Sequence, residues 1–373
     1  MHIVPISFLR NSLNIYALEY YVYRKLLILK QFDLKKLTYI IIILLSMNLF
    51  SSNTLVGQDL HYSQFYNSPQ TANPALTGIF KGDQRFMGNT RDQWRWVPVP
   101  WFTLGAAYDQ KFLPKKSDNH FWSGGINFFH DRQGDSNLNL SNLNVSGSYS
   151  RILNAQNIIT AGATLGFATR GFAQSDLTWD KQWNGVTFNS GLGSGENFDT
   201  ERIYFLETGF GLNYRYQRSS RTKLDIGAGA LHLIRPSAGF YNNEDQKLPI
   251  NINLTGIASF YVVDFLDIQV HALQQLQSEY RETIIGGLAK LYVSQKRGKE
   301  TQIHVGMGYR TAGSLIPTLA IEYNQYYVSA NYDIDGTNFN SIEDSRRGAL
   351  EIHFRYTITN VKPLKDFKVC PIY

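Results

Sequence analysis

GALEIHFRYTITN, running from Gly348 to Asn360, alternates apolar and polar residues without a break. Leu350, Ile352, Phe354, Tyr356 and Ile358 point one way, and Glu351, His353, Arg355 and Thr357 the other, because successive side chains of an extended chain leave on opposite faces. A soluble sandwich also produces this pattern. Here it recurs along most of the chain in runs of about ten residues or more, the length a tilted strand needs to cross a bilayer. The expected fold is all-β: an outer-membrane antiparallel β-barrel of about 14 strands.

Composition points the same way. Of 373 residues 43% are hydrophobic, yet the mean hydropathy is -0.26, as half-polar strands require. One run alone, LTYIIIILLSMNLF (Leu37 to Phe50), approaches a helical span. It follows Lys35 and Lys36 and precedes small residues, which gives it the charged start, apolar middle and small-residue end of a secretory signal. A membrane-anchoring helix is the competing reading, but the apolar core falls short of the roughly 20 residues a span prefers. Residues 1–57 are therefore expected to be a leader, with a signal peptide over 34–57 cleaved near Gly57 and a mis-assigned start accounting for 1–33. Cys370 is the only cysteine, which leaves no intrachain disulfide and no cysteine metal site. The formal charge of +6 comes without any Lys/Arg run interleaved with aromatics, so nucleic acid is not an expected partner.

Alternation marks strands near 83–96, 101–112, 119–132, 138–152, 156–172, 201–217, 221–235, 248–263, 265–277, 281–292, 300–311, 316–323, 326–335 and 346–359. The sixth is the clearest: Tyr204, Leu206, Phe210, Leu212, Tyr214 and Tyr216 alternate with Glu207, Gly209, Gly211, Asn213 and Arg215. Loop lengths give a separate check. The long connections 173–200, 236–247 and 336–345 all follow odd-numbered strands, whereas 153–155, 218–220 and 324–325 after even-numbered strands are short. Bacterial barrels show this asymmetry, with an even strand number; counts of 12 or 16 stay open. The 23 Tyr and 23 Phe suit interfacial girdles, and the lipid bilayer is the first expected partner.

HYSQFYNSPQTANPALTGIFKGDQR (His61 to Arg85) does not alternate. Pro69 and Pro74 remove backbone donors and argue against a central strand, while Tyr62, Phe65, Tyr66, Leu76 and Phe80 call for something to pack against. Residues 58–82 are expected to enter the barrel mouth as a plug-like segment, ahead of a barrel at 83–360 and a periplasmic tail at 361–373.

SQFYNSP, ANPALTG and NTRDQWRWVPVPWFTLGAAYDQ, with YDID, ALEIHFRY and the terminal CPIY, resemble the PorP/SprF family of type IX secretion system membrane proteins. The resemblance runs from about Gln58 to Tyr373. It implies a non-enzymatic outer-membrane component of a secretion and gliding-motility apparatus. It also implies as partners the type IX secretion machinery and a secreted cargo protein, notably an adhesin, engaged through the cargo's C-terminal domain. Positions matching the family are Gln64, Phe65, Tyr66, Pro69, Asn73, Pro74, Ala75, Gly78, Arg91, Gln93 and Trp94. A passive transporter for hydrophobic or small solutes, similar to fatty-acid transporters, predicts the same barrel, signal and plug, and so does a purely structural barrel.

The expected inward face carries Arg85, Arg91, Arg95, Glu207, Arg215, His271, His304, Arg310, Glu322, Glu351, His353 and Arg355. An acid/base set could be drawn from these. Without a nucleophile elbow, a metal-spaced His pair or a phosphate loop, the simpler reading is a lumen that pairs its charges, with no catalytic residue, no metal and no cofactor. In the longest loop, Trp179 and Trp183 among polar residues make a candidate external docking surface. In the first strand, Arg91, Gln93 and Arg95 are expected on one face and Trp94 and Trp96 on the other, toward the membrane interface. The tail, with Lys362, Lys365, Asp366 and Lys368, reads as solvated or as a periplasmic docking peptide.

Overall fold

Period-two alternation carries through to fourteen strands that close on themselves in a computed structural model. The model describes residues 62–94, 101–114, 119–134, 136–174, 177–196, 198–241, 246–311, 313–336 and 348–359. The leader 1–57 and the tail 361–373 lie outside the described residues, as do Arg95 and Trp96. The strands are β1 (Gln84–Gln93), β2 (Trp101–Phe112), β3 (His120–Gln133), β4 (Leu138–Asn154), β5 (Asn157–Gly171), β6 (Arg202–Gln217), β7 (Lys223–Leu231), β8 (Asn251–Val263), β9 (Leu266–Gln277), β10 (Tyr280–Ser294), β11 (Thr301–Arg310), β12 (Ser314–Tyr323), β13 (Tyr326–Asp335) and β14 (Gly348–Ile358). Each pairs antiparallel with its sequence neighbours, and β1 pairs with β14 to remove the last edge. Closure is what lets a sheet stand in lipid, since every ladder donor and acceptor finds a partner.

Where strands end short of the sequence expectation, two ends have a local backbone cause. β7 stops at Leu231 rather than 235 because His232 and Arg235 adopt φ of 57° and 48°, left-handed values that an extended ladder does not accept. β1 stops at Gln93 rather than 96 because Trp94 has φ 60°. The long connections follow β5, β7 and β13 and so lie on one rim, while the opposite rim carries two-residue turns at 155–156, 264–265 and 324–325. We call these the long-loop rim and the short-turn rim.

The wall is apolar outside and polar inside. On β6, Tyr204, Leu206, Phe210 and Leu212 are exposed outward, whereas Glu207 and Asn213 are buried inward. On β14, Leu350, Ile352 and Phe354 face out while Glu351 and His353 are buried. An outward apolar belt of this kind needs hydrocarbon as its solvent. Among the described residues no helix is long and apolar enough to cross a membrane; the strands cross instead.

The apolar core sits inside the barrel. Phe65 packs with Leu273, Ile284 and Ile316, and Leu76 and Ile79 pack with Phe121. Both clusters join the wall to the stretch that precedes β1. This stretch forms short turns at Phe65–Asn67, Pro69–Ala72 and Pro74–Leu76. Pro69 and Pro74 open two of them, where the missing N–H is no loss and the fixed φ is an advantage. The Asn73 side chain accepts from the Ala75 N–H at 2.9 Å and caps the last turn. From 62 to 79 every residue except Tyr66 and Thr71 is buried.

Glycines in the wall make room for this stretch. A Cβ on Gly162 of β5 would lie 2.5 Å from the Pro74 carbonyl oxygen, and one on Gly229 of β7 would lie 2.5 Å from that of Ala72. With Gly211 and Gly227, whose missing side chains leave space for the Asn73 amide, they form a trench across β5, β6 and β7.

Candidate functional site

Five buried charged side chains meet near the long-loop rim. Arg91 of β1 binds Asp333 of β13 at 2.9 Å and approaches Glu351 of β14 at 3.6 Å. Arg310 of β11 binds Glu282 of β10 at 2.6 Å and Asp333 at 3.2 Å. Into this group comes Ser63. Its hydroxyl donates to Asp333 at 2.6 Å and accepts from Arg91 at 2.9 Å and Arg310 at 2.6 Å. The Ser63 and Gln64 backbone N–H groups donate to the two oxygens of Glu351, at 2.9 and 3.1 Å. All five residues are at most 5% exposed, so deleting any one of them leaves a partner buried without its counter-charge. Gln64 adds a side-chain bond to Asn331, and Ser329 donates to the Gln64 carboxamide oxygen at 2.6 Å.

The other end of the stretch is fixed near the short-turn rim. Asp109 of β2 takes two hydrogen bonds from Arg85, at 2.9 and 2.6 Å, and one from the Gly78 N–H at 2.7 Å. Gly78 has φ 76°, a conformation that favours glycine. Arg215 of β6 grips Asp225 of β7 at 2.7 and 2.9 Å, and the Phe80 ring lies under the Arg85 guanidinium and the Lys111 ammonium, at 4.4 and 4.7 Å. In the β6–β7 turn, burial pulls the Arg221 pKa down, but hydrogen bonds to Asp267 and the nearby Tyr292 push it up further. The net shift is upward, and Asp267 at 2.8 Å balances the cation.

The stretch lies between two lumen cavities. One of about 630 Å³ opens toward the long-loop rim, with Arg91, Gln93, Trp94 and Trp101 in its wall. One of about 730 Å³ opens toward the short-turn rim, with Arg215, Lys223, Lys290 and Arg355 in its wall.

The family-matching positions of the stretch and of β1 converge here. Phe65 and Tyr66 pack around His271, with ring centroids at 5.7 and 4.5 Å. Pro69, Pro74 and Ala75 shape the turns, and Asn73 donates to the Leu212 carbonyl at 3.0 Å. Arg91 donates to Gln93 at 3.2 Å. Trp94 corrects the sequence expectation. It does not point away from Arg91 and Gln93, because its left-handed φ breaks the alternation; it lines the same cavity as they do and packs on Trp101 at 5.0 Å. Trp183 is 56% exposed in the 172–201 loop, bridges to the exposed Phe188, and shares the loop with the exposed Val186 and Leu192. Trp179 instead turns inward in that loop onto Phe198, at 5.9 Å.

His271, His304 and His353 lie on β9, β11 and β14 and contact aromatic rings: His304 and His353 flank Tyr327 at 5.6 and 5.9 Å. Among the described residues no group of three His, Cys, Asp or Glu is arranged to hold a metal. Sequence reasoning did not single out Ser63, Asp109, Asp225, Glu282 and Asp333, the partners that the inward cations use. Strand phase was the available signal, since Asp333 shares the parity of Ser329 and Asn331 in β13 and all three are buried.

Comparison with known proteins follows from this architecture. No curated protein matches the chain. Among solved structures, the P. putida toluene transporter TodX is 10% identical with a TM-score of 0.43, covering 79% of this chain and 95% of its own. The KdgM porin is 8% identical with a TM-score of 0.35, covering 74% and 99%. The CymD monoaromatic hydrocarbon channel is 9% identical with a TM-score of 0.43, covering 79% and 93%. The family of type IX secretion system membrane proteins PorP/SprF matches residues 55–356. That span takes in the stretch, both charge clusters and all of the barrel but the last two residues of β14, and this chain of the outer membrane therefore belongs to the PorP/SprF family.

Proposed function

We propose that this barrel works as an outer-membrane docking component of the type IX secretion and gliding-motility system, and that it partners a secreted surface protein through that protein's C-terminal domain. Residues 58–82 act as its plug. The observation that carries the reading is the clamped stretch inside the lumen. A segment tied by Asp333 and Glu351 at one end and by Asp109 at the other suits a closed platform better than a solute path. The exposed Trp183, Val186, Phe188 and Leu192 add an apolar surface on the long-loop rim, the rim that faces outward in barrels of this kind.

The test is mass spectrometry of what co-purifies with the tagged barrel from outer membranes in mild detergent, with an unrelated barrel as control. Enrichment of a large surface protein through its C-terminal domain is expected. A bare barrel that instead carries solute flux in liposomes would replace this reading with passive transport of hydrophobic or small solutes.

A further inference from the structure

The two lumen cavities differ in charge. Four basic side chains and four acidic ones line the long-loop cavity, with His232 in addition. Seven basic and four acidic ones line the short-turn cavity, with His304 in addition. The excess at the short-turn end is not absorbed by local pairs. Arg215 has Asp225, Arg221 has Asp267 and Arg355 has Glu322, but Lys223 and Lys290 make no hydrogen bond or ion pair among the described residues. Both point inward: Lys223 shares the phase of the buried Asp225 on β7, and Lys290 that of the buried Leu288 on β10. Holding these two amines as ammonium ions beside other cations inside a protein costs free energy, and a bound anion stabilises their charged form.

We infer that the short-turn cavity is a binding site for an acidic peptide segment that enters from the short-turn rim. The cavity reaches that rim, since the turn residues Ser220, Gly298 and Gln325 are part of its wall. Its cations come from separate strands of the wall, Lys223 from β7, Lys290 from β10 and Arg355 from β14, and face one cavity. Several cations around one cavity suit a ligand that carries several carboxylates. Between the cations, Ser259, Gln269 and Gln302 offer hydrogen bonds, the complement a peptide backbone needs. The volume of about 730 Å³ is that of a ligand pocket rather than of a single-ion site. Which protein supplies the peptide rests on the docking reading above; the charge site does not.

The test is fluorescence anisotropy of fluorescein-labelled hexaglutamate with the purified full-length barrel in zwitterionic detergent, at about 50 mM and about 200 mM salt, a range over which charge-driven binding falls steeply. Binding to the parent should weaken with salt. The Lys223→Gln/Lys290→Gln double variant should bind about a hundredfold more weakly, roughly tenfold per partly buried charge removed, and Lys223→Arg/Lys290→Arg should restore most of the loss. Heat-modifiable migration in gels confirms that each variant has folded. A folded double variant that binds as the parent does, or a parent that binds no hexaglutamate, overturns the inference. Displacement of the peptide by inorganic phosphate at matched ionic strength overturns the peptide assignment in favour of a small-anion site. Co-purification of a surface protein by a parent that binds no hexaglutamate removes the charge site alone; hexaglutamate binding by a parent that retains no surface protein removes the docking reading alone.

Discussion

Arg91→Ala should release the front of the lumen stretch while leaving the barrel closed. In the parent, Arg91 and Arg310 face Asp333, Glu351 and Glu282. The substitution leaves three buried carboxylates with one guanidinium, and it removes the donor at 2.9 Å from the Ser63 hydroxyl. Breaking a buried pair by deleting one partner costs about 3–5 kcal/mol. The long-loop cavity admits water beside Arg91, so the lower end applies: about 3 kcal/mol, or roughly a hundredfold in a local opening equilibrium. The cost falls on the stretch because the strands keep their ladders, whereas Ser63 and Gln64 are held through Asp333 and Glu351. Hydrogen exchange read by mass spectrometry on peptides within 62–82 should speed up by about that factor, while β5 and β6 peptides stay as protected as before. Unchanged exchange in 62–82 in a folded Arg91→Ala barrel would refute the claim that this cluster holds the stretch.

Gly162→Ala places a methyl group against the Pro74 carbonyl and should destabilise the seating of the stretch by about 1–3 kcal/mol, seen as faster exchange around 72–77; equal exchange would mean the trench is wider than described. Leu206→Arg puts a charge on the lipid face and should lower the folded, heat-modifiable fraction, at a cost of about 2–4 kcal/mol near mid-bilayer; a fraction equal to the parent's would remove Leu206 from the lipid belt. Deleting 181–197 takes away Trp183, Val186, Phe188 and Leu192 and should reduce retention of the surface protein with little change in barrel abundance. Normal retention would dissociate that loop from docking.

The barrel was legible in the sequence because its two signals are local: period-two alternation, and connection lengths whose asymmetry fixes strand parity. Strand ends were less legible where a residue other than glycine takes a left-handed φ, as at Trp94 and His232. No composition rule announces those positions, and at Trp94 the slip also reversed the side to which the ring points. The inward cations were readable from phase, but their partners were not. Arg91 meets Asp333 across 242 positions of sequence, and only the circular strand order puts β1 within reach of β13. The same holds for Lys223 and Lys290, which look like any lumen lysines until the surrounding wall is assembled and its Asp225, Asp267 and Glu322 are found paired with Arg215, Arg221 and Arg355. The stretch before β1 was legible as something other than a strand from Pro69 and Pro74; the glycine trench that receives it was not, because Gly162, Gly211, Gly227 and Gly229 come from three strands.

The route of the stretch has a consequence for how the wall itself can move. β1 and β14 meet along ten register pairs, from Gln84↔Ile358 to Gln93↔Ala349, and this is the single place where the first and last strands of the chain join. The stretch crosses behind that seam: Ser63 and Gln64 hold Glu351 of β14, Asn89 of β1 donates to Ser68 at 2.5 Å, and the chain enters β1 at Gln84 after passing through the β5–β7 trench. The seam is thus stitched from within by the polypeptide that begins it. Parting β1 from β14 to make a lateral gate means breaking the ladder and the stitch together, so any sideways passage between lumen and bilayer also requires residues 62–68 to let go of one of the two strands.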